Sequence, residues 1–190
     1  MSNYPDFLSQ IDDDWTLFLD RDGTINARDF TGYITSWDQF IFLPGALDAL
    51  ALARFFFNRI IIVTNQQGVG KGLMTKEMLL DIHEQMLEEI GMHGGNIDEI
   101  YSCESLADDY PNCRKPSPEM AFLAKNTFPE IDFRKSVMIG DTTTDIEFAL
   151  QCEMKSVRIK GLEKYTGVKA HMDVNSIKEF IDLLTQVQHQ

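Results

Sequence analysis

Two carboxylates one residue apart, Asp20 and Asp22 in FLDRDGTIN (18–26), close a short apolar run, with Arg21 between them and Gly23 behind. In extended backbone, residues i and i+2 point to the same side. Two such charges about 4 Å apart repel by roughly 4 kcal/mol at an effective dielectric near 20. A counter-charge, a proton or a metal ion must hold them together; otherwise both face water in a polar loop. Gly23 favours the first reading, because it permits a sharp turn that keeps the second acid over the strand end.

Three further stretches carry residue types that suit an anionic ligand. VTNQQGVGKG (63–72) puts Thr64 at the end of a β-branched run, before a glycine-rich turn. The N–H groups of such a turn could hold an anionic oxygen; a threonine that merely closes its strand is the alternative. The turn matches neither GxGxxG nor GxxxxGK[ST], so it is not read as a nucleotide loop. CRKPSPEM (113–120) sets Arg114 and Lys115 just before a helix start, where cations meet the positive end of the dipole. An anion between them resolves that conflict; a solvated basic pair is the alternative. IGDTTTDIEFA (139–149) brings Asp141 to the exit of an apolar strand, as a candidate metal ligand. Asp145 has a structural explanation, as a first-turn acid beside a capping box formed by Thr144 and Glu147, and is read only as support.

The elements around these residues must bring them together. WTLFLD (15–20), RIIIVTN (59–65), IDEIYSC (97–103), SVMIGD (136–141) and KSVRIK (155–160) read as strands. Helical patterns over 45–58, 75–91, 117–128, 143–152 and 176–188 alternate with them, with Ser117 as cap of the third. This alternation predicts an α/β fold: a three-layer, Rossmann-like parallel sheet of about five strands with helices on both faces. In such open sheets ligands bind beyond the carboxyl ends of the strands. Asp20, Thr64 and Asp141 all fall there, so they can converge although distant in sequence.

With 190 residues, 44% hydrophobic and 25% charged, and no repeat or linker, the chain reads as a single domain over 1–190. No apolar run approaches the roughly 20 residues of a membrane span, and the amino terminus lacks a secretory pattern. Three cysteines, an odd number, argue against a disulfide framework and for a cytoplasmic setting. The net charge of -13 argues against a nucleic-acid surface, which needs clustered Lys and Arg. Binding an anionic small molecule on such a chain requires locally concentrated cations or a metal ion.

Taken in order, FLDRDGTIN, Thr64 of VTN, Lys115 of CRKPSP and GDTTTD resemble the four motifs of the haloacid-dehalogenase (HAD) superfamily of aspartate-nucleophile phosphatases, over roughly residues 15 to 160. DRDGTIN, TNQQGVGKG and CRKP are most similar to the branch of histidinol-phosphate and D-glycero-D-manno-heptose-1,7-bisphosphate phosphatases. The resemblance implies that Asp20 attacks phosphorus to form an aspartyl-phosphate, and that Asp22 keeps a proton for the leaving oxygen and later activates water. It implies Mg²⁺ held by Asp20, Asp141 and the main-chain carbonyl of Asp22, with Asp145 in support, and phosphoryl oxygens bound by Arg21, Thr64, Asn65 and Lys115. The expected substrate is a small phosphorylated metabolite, histidinol phosphate or a heptose bisphosphate; Arg114 could grip a second anionic group and mildly favours the bisphosphate. The motif spacings leave no room for a large cap domain. Substrate specificity is expected from a flap at 27–40 and a loop at 104–114, on a monomer or small homo-oligomer.

One departure stands out. The branch commonly carries a structural zinc in a Cys-x-His and Cys-x-Cys set before the lysine, but here Ser105 and Pro111 replace two of the four ligands. Zinc is therefore not expected. Cys103 and Cys113 are read as unpaired thiols, and the loop as ordered by packing of Leu106 and Tyr110. His83 is read as a surface residue, and His171 has no evident partner. A receiver-like phosphoprotein and a weakly catalytic protein that binds a phosphorylated ligand are the competing functions.

Overall fold

The computed structural model describes residues 4–161 and 167–188. Six strands form one all-parallel sheet: β1 (Thr16–Leu19), β2 (Arg59–Asn65), β3 (Glu99–Cys103), β4 (Ser136–Gly140), β5 (Lys155–Ile159) and β6 (Met172–Val174), in the order β3-β2-β1-β4-β5-β6. The helices are α1 (Ala46–Ala53), α2 (Gln67–Gly70), α3 (Lys76–Met92), α4 (Glu119–Thr127), α5 (Thr143–Gln151) and α6 (Ile177–Gln188).

Strand periodicity of two sorts the apolar runs onto two faces. Leu17, Leu19, Ile60, Ile62, Val137 and Ile139 pack with α1, α3 and α6 on one face. Phe18, Ile61, Val63 and Met138 pack with α4 and α5 on the other. The strands are buried on both sides, which is why their sequences are almost wholly apolar. The result is the expected three-layer α/β fold.

The sheet has six strands, one more than the five expected. β6 is a three-residue edge strand, MDV, paired with β5 through Val157↔Met172, Arg158↔Asp173 and Ile159↔Val174. It is too short to leave a periodic signal. The glycine-rich turn after β2 contains the single helical turn α2, and α4 begins at Glu119 with Pro118 rather than Ser117 at its cap.

Strand order places the ligand crevice. From β1 the chain moves outward through β2 and β3, then returns to lay β4 against the other side of β1. The connections after β1 and β4 pass to opposite faces of the sheet. The carboxyl ends of these two neighbours therefore border the gap where ligands bind in open α/β sheets.

Candidate active site

Asp20 follows β1 directly, its N–H donating to Ile139 O of β4 at 2.9 Å. The chain then turns sharply: Ile25 N donates to Arg21 O at 2.8 Å and Gly23 N to Asn26 O at 2.7 Å. Gly23 adopts φ +92, and a Cβ there would collide with the Asp141 carboxylate. Glycine is thus required twice over, by backbone conformation and by the close approach of the carboxylate.

Across the gap, Lys115 reaches in from the loop before α4. Its Nζ lies 2.6 Å from Asp20 Oδ1, 2.6 Å from Asp145 Oδ1 and 2.7 Å from Val63 O. The loop itself is clasped to the sheet by Asn65, whose Oδ1 accepts from Lys115 N at 2.9 Å while its Nδ2 donates to Lys115 O at 3.3 Å. Burial alone would lower the Lys115 pKa, but Asp145 and Asp20 outweigh it and hold the ammonium charged. Burial raises the Asp20 pKa to about 6; Lys115 opposes the shift, while Asp145 and Asp22 add to it.

Asp22 is not stacked on Asp20, because the turn re-aims it. Its Oδ1 accepts from Arg21 Nη2 at 3.0 Å and Asn26 Nδ2 at 2.9 Å, and its Oδ2 from Gln66 Nε2 at 2.9 Å. Burial opposes ionisation, yet Arg21 and the donors from Asn26 and Gln66 bring its pKa below the usual carboxylate range. The cage thus favours the ionised form of Asp22, whereas the proton-donor role expected of it calls for the protonated one.

Arg21 itself is buried. Its Nη1 meets His83 Nε2 at 3.1 Å and its Cζ lies 5.8 Å from the Phe40 ring centroid. Its side chain braces the turn from behind, so any phosphate contact at this position falls to its main chain. Asn65 likewise spends both ends of its amide on the Lys115 loop. Thr64 is buried at the end of β2, with its Oγ1 accepting from Gln66 Nε2 at 2.9 Å.

Asp141 and Asp145 leave β4 together. The capping box is Thr142 with Asp145, not Thr144 with Glu147, since α5 starts two residues earlier than that pairing requires. Asp145 Oδ2 accepts from Thr142 N at 3.0 Å while Oδ1 binds Lys115. One residue therefore caps the helix and completes the charge cluster. Asp20, Asp141 and Asp145 present carboxylate oxygens within 4.8 Å of one another. Arg28 of the 27–40 segment pairs with Asp141, Nη2 to Oδ1 at 3.1 Å.

Asp20, Asp22, Gln66, Lys115 and Asp145 line one cavity of about 210 Å³, together with Arg28, Tyr33 and Arg114. Arg114 Nη1 is buried and has no hydrogen-bond partner among the described residues.

The loop 104–114 is fastened differently from expectation. Cys103 and Cys113 form a disulfide, and only Cys152 is free, buried in the core. Tyr110 is 98% exposed and packs nothing. Order comes instead from Asn112, whose Nδ2 donates to Leu106 O and Ala107 O at 2.9 and 3.1 Å, and from Asp109 Oδ2, which accepts from Leu106 N at 2.7 Å.

Comparison with known proteins bears on this geometry. A family model described as HAD-hydrolase-like matches residues 112–179. A D-glycero-alpha-D-manno-heptose-1,7-bisphosphate 7-phosphatase of Mycobacterium tuberculosis is 38% identical over 135 residues, 71% of each chain. The D-glycero-D-manno-heptose-1,7-bisphosphate 7-phosphatase of Chlorobaculum tepidum is 34% identical, covering 76% of this chain and 77% of its own. The chain belongs to the HAD-like phosphatases. Among solved structures, D,D-heptose 1,7-bisphosphate phosphatase from B. bronchiseptica, complexed with magnesium and phosphate, superimposes with a TM-score of 0.82 at 27% identity. It covers 90% of this chain and 98% of its own.

Membership of the HAD-like phosphatases sets aside the receiver-like phosphoprotein. It also frames the acid cluster. Among the described residues, Arg21 pairs with Asp22, Arg28 with Asp141, and Lys115 with Asp20 and Asp145. Asp20, Asp141 and Asp145 converge within 4.8 Å. Hard oxygen donors in that number suit Mg²⁺. Among the described residues, no helix is long and apolar enough to cross a membrane.

Gln66, Asn26, Arg28 and His83 were not singled out by sequence as site residues. Asn26 and Gln66 had a local signal, the one closing FLDRDGTIN and the other standing two residues after Thr64 in a strand-end turn. His83 is buried in α3 rather than on the surface. His171 finds its partner in Ser156, whose N–H and hydroxyl lie 3.1 and 2.9 Å from its Nδ1.

Proposed function

We propose that this enzyme removes one phosphate from a small sugar bisphosphate of the heptose 1,7-bisphosphate kind, through a phosphorylated Asp20. The observation that carries the reading is the arrangement of cations in one cavity. Lys115 is locked onto Asp20 at its base, and Arg114 stands in its wall with a buried, unpartnered nitrogen. Such a pair suits a ligand with two anionic groups. The names of the relatives point the same way.

The chemistry follows from the residues. An Asp20 carboxylate oxygen forms a bond to phosphorus as the ester P–O bond breaks, and the leaving oxygen takes a proton from Asp22. Water then cleaves the acyl-phosphate, giving up its proton to Asp22, whose cage of Arg21, Asn26 and Gln66 holds it ready as a base. Lys115 and Thr64 hold phosphoryl oxygens, stabilising charge as it spreads over them. Asp20 and Asp141, with the Asp22 carbonyl, would hold Mg²⁺, which supplies positive charge to the phosphoryl oxygens when bound. For Asp22 to donate a proton in the first half-reaction it must exchange partners, because the contacts described favour its ionised form.

The test is a turnover series with Mg²⁺ over a heptose 1,7-bisphosphate, histidinol phosphate and sugar monophosphates, ranked by kcat/KM. The bisphosphate is expected to lead, and Asp20→Asn to fall to background. A leading rank for histidinol phosphate would overturn the substrate, and near-normal turnover by Asp20→Asn would overturn the nucleophile.

A further inference from the structure

Among the described residues that line the cavity, Tyr33 carries the only aromatic ring, and the buried Ile34 beside it is the only aliphatic side chain. Apart from Gly32, the rest of the lining is charged or polar. Phosphoryl oxygens are well served there, whereas the carbon skeleton of an ester has one small surface to pack on. A sugar offers C–H groups that suit the face of an aromatic ring, and its hydroxyls suit a polar rim.

The ring is held from both ends. Ile34 packs into the larger core, which fixes the chain that carries Tyr33. Thr35 closes the segment next to it, its N–H and hydroxyl donating to Gln39 Oε1 at 2.9 and 3.2 Å. At the far end, the Tyr33 hydroxyl accepts from Lys71 Nζ at 3.0 Å and donates to Gln67 Oε1 at 3.5 Å. Lys71 Nζ also lies 5.4 Å from the ring centroid. Gln67 opens α2 and Lys71 follows its last residue. Gly68 lies against the ring itself: a Cβ there would come within 3.2 Å of two ring carbons and 3.3 Å of Met74 Sδ. The glycine-rich turn that matches no nucleotide loop has this other task, seating a ring of the 27–40 segment at the mouth. Tyrosine has few side-chain torsions, so fixing it costs little conformational freedom.

We propose that Tyr33 is a specificity-determining residue whose ring carries the carbon skeleton of a phosphorylated sugar, and that Lys71 is a positioning residue acting through the Tyr33 hydroxyl. This rests on the sugar half of the substrate reading above and not on the second phosphate.

Kinetics with Mg²⁺ on a heptose 1,7-bisphosphate and on sugar monophosphates, each set against acetyl phosphate, decide it; the acetate leaving group has no sugar carbons to pack. The ratio of kcat/KM, sugar phosphate over acetyl phosphate, should fall about tenfold in Tyr33→Leu, chiefly through KM. Tyr33→Phe and Lys71→Met should each lower it about threefold, and the double variant no further, because both remove the same hydrogen bond. An unchanged ratio in Tyr33→Leu, including an equal loss on both kinds of substrate, would overturn the role of the ring. Additive losses in the double variant would overturn that of Lys71. A wild-type enzyme inert on every sugar phosphate would overturn both. If a monophosphate outranks the bisphosphate, the two-phosphate reading fails alone, and the ratio is read on that monophosphate.

Discussion

Replacing His83 by glutamine should remove a pH dependence of stability that the fold builds into one buried contact. His83 Nε2 faces Arg21 Nη1 at 3.1 Å, so the ring must be neutral and accept from the guanidinium. Burial, reinforced by the Arg21 charge and opposed by Asp22, pushes its pKa down to about 3. In the unfolded chain it titrates near 6.5. Because the folded value is the lower one, the stabilisation is complete above pH 6.5 and is lost as pH falls toward 3. At pH 5 the unfolded state binds about one proton that the folded state does not, and the accumulated loss is about 2 kcal/mol. The figure at pH 5 is governed by the unfolded value, since the folded ring has barely begun to protonate. Asp20, with its pKa raised to about 6, works in the opposite sense, as its folded form takes a proton earlier. That contribution is shared by wild type and variant and cancels in their difference. Glutamine keeps an acceptor for Arg21 without titrating. Urea unfolding of both proteins at pH 8, 6.5 and 5 should show wild type losing about 2 kcal/mol relative to His83→Gln between the extremes. A difference that stays flat across this range would mean that the ring is not held neutral against Arg21, and the reasoning about the brace behind Asp22 would fall with it.

Lys115→Met removes the ammonium shared by Asp20 and Asp145 and leaves two buried acids uncompensated; unfolding free energy should drop by about 3–5 kcal/mol, and phosphatase activity should be lost. A urea midpoint unchanged from wild type would refute that cluster. Gly23→Ala meets both a φ of +92 and the Asp141 carboxylate; it should cost about 1–3 kcal/mol in stability and weaken Mg²⁺ binding in calorimetry. Retention of wild-type affinity for the ion would show that Asp141 does not depend on that bare turn.

The positions of the acids were legible because strands buried on both faces are apolar throughout, so an acid at their exit stands out. Asp20 and Asp141 announce themselves in this way, and Thr64 does so more weakly. What such acids point at was not legible. The i, i+2 rule places Asp22 beside Asp20 only in extended backbone, and the turn at Gly23 ends that geometry immediately. The capping box was displaced by two residues because several threonines in a row offer equivalent starts. Gln66, Arg28 and His83 take their roles from partners 44, 113 and 62 positions away, and no local pattern reports such pairings. Cys103 and Cys113 were misread because an odd count of cysteines says nothing about which two lie together. Tyr110 was assigned to packing by residue type alone, whereas Asn112 secures its loop with hydrogen bonds.

The groups that would touch phosphorus are fixed at strand ends and in the interior, whereas Arg28, Tyr33 and Arg114 stand on connecting segments around the mouth. Mutations in those segments can alter which ester is accepted while sparing the buried machinery. Descendants of one ancestral hydrolase could thus diversify their diets quickly, each inheriting the same reaction unaltered.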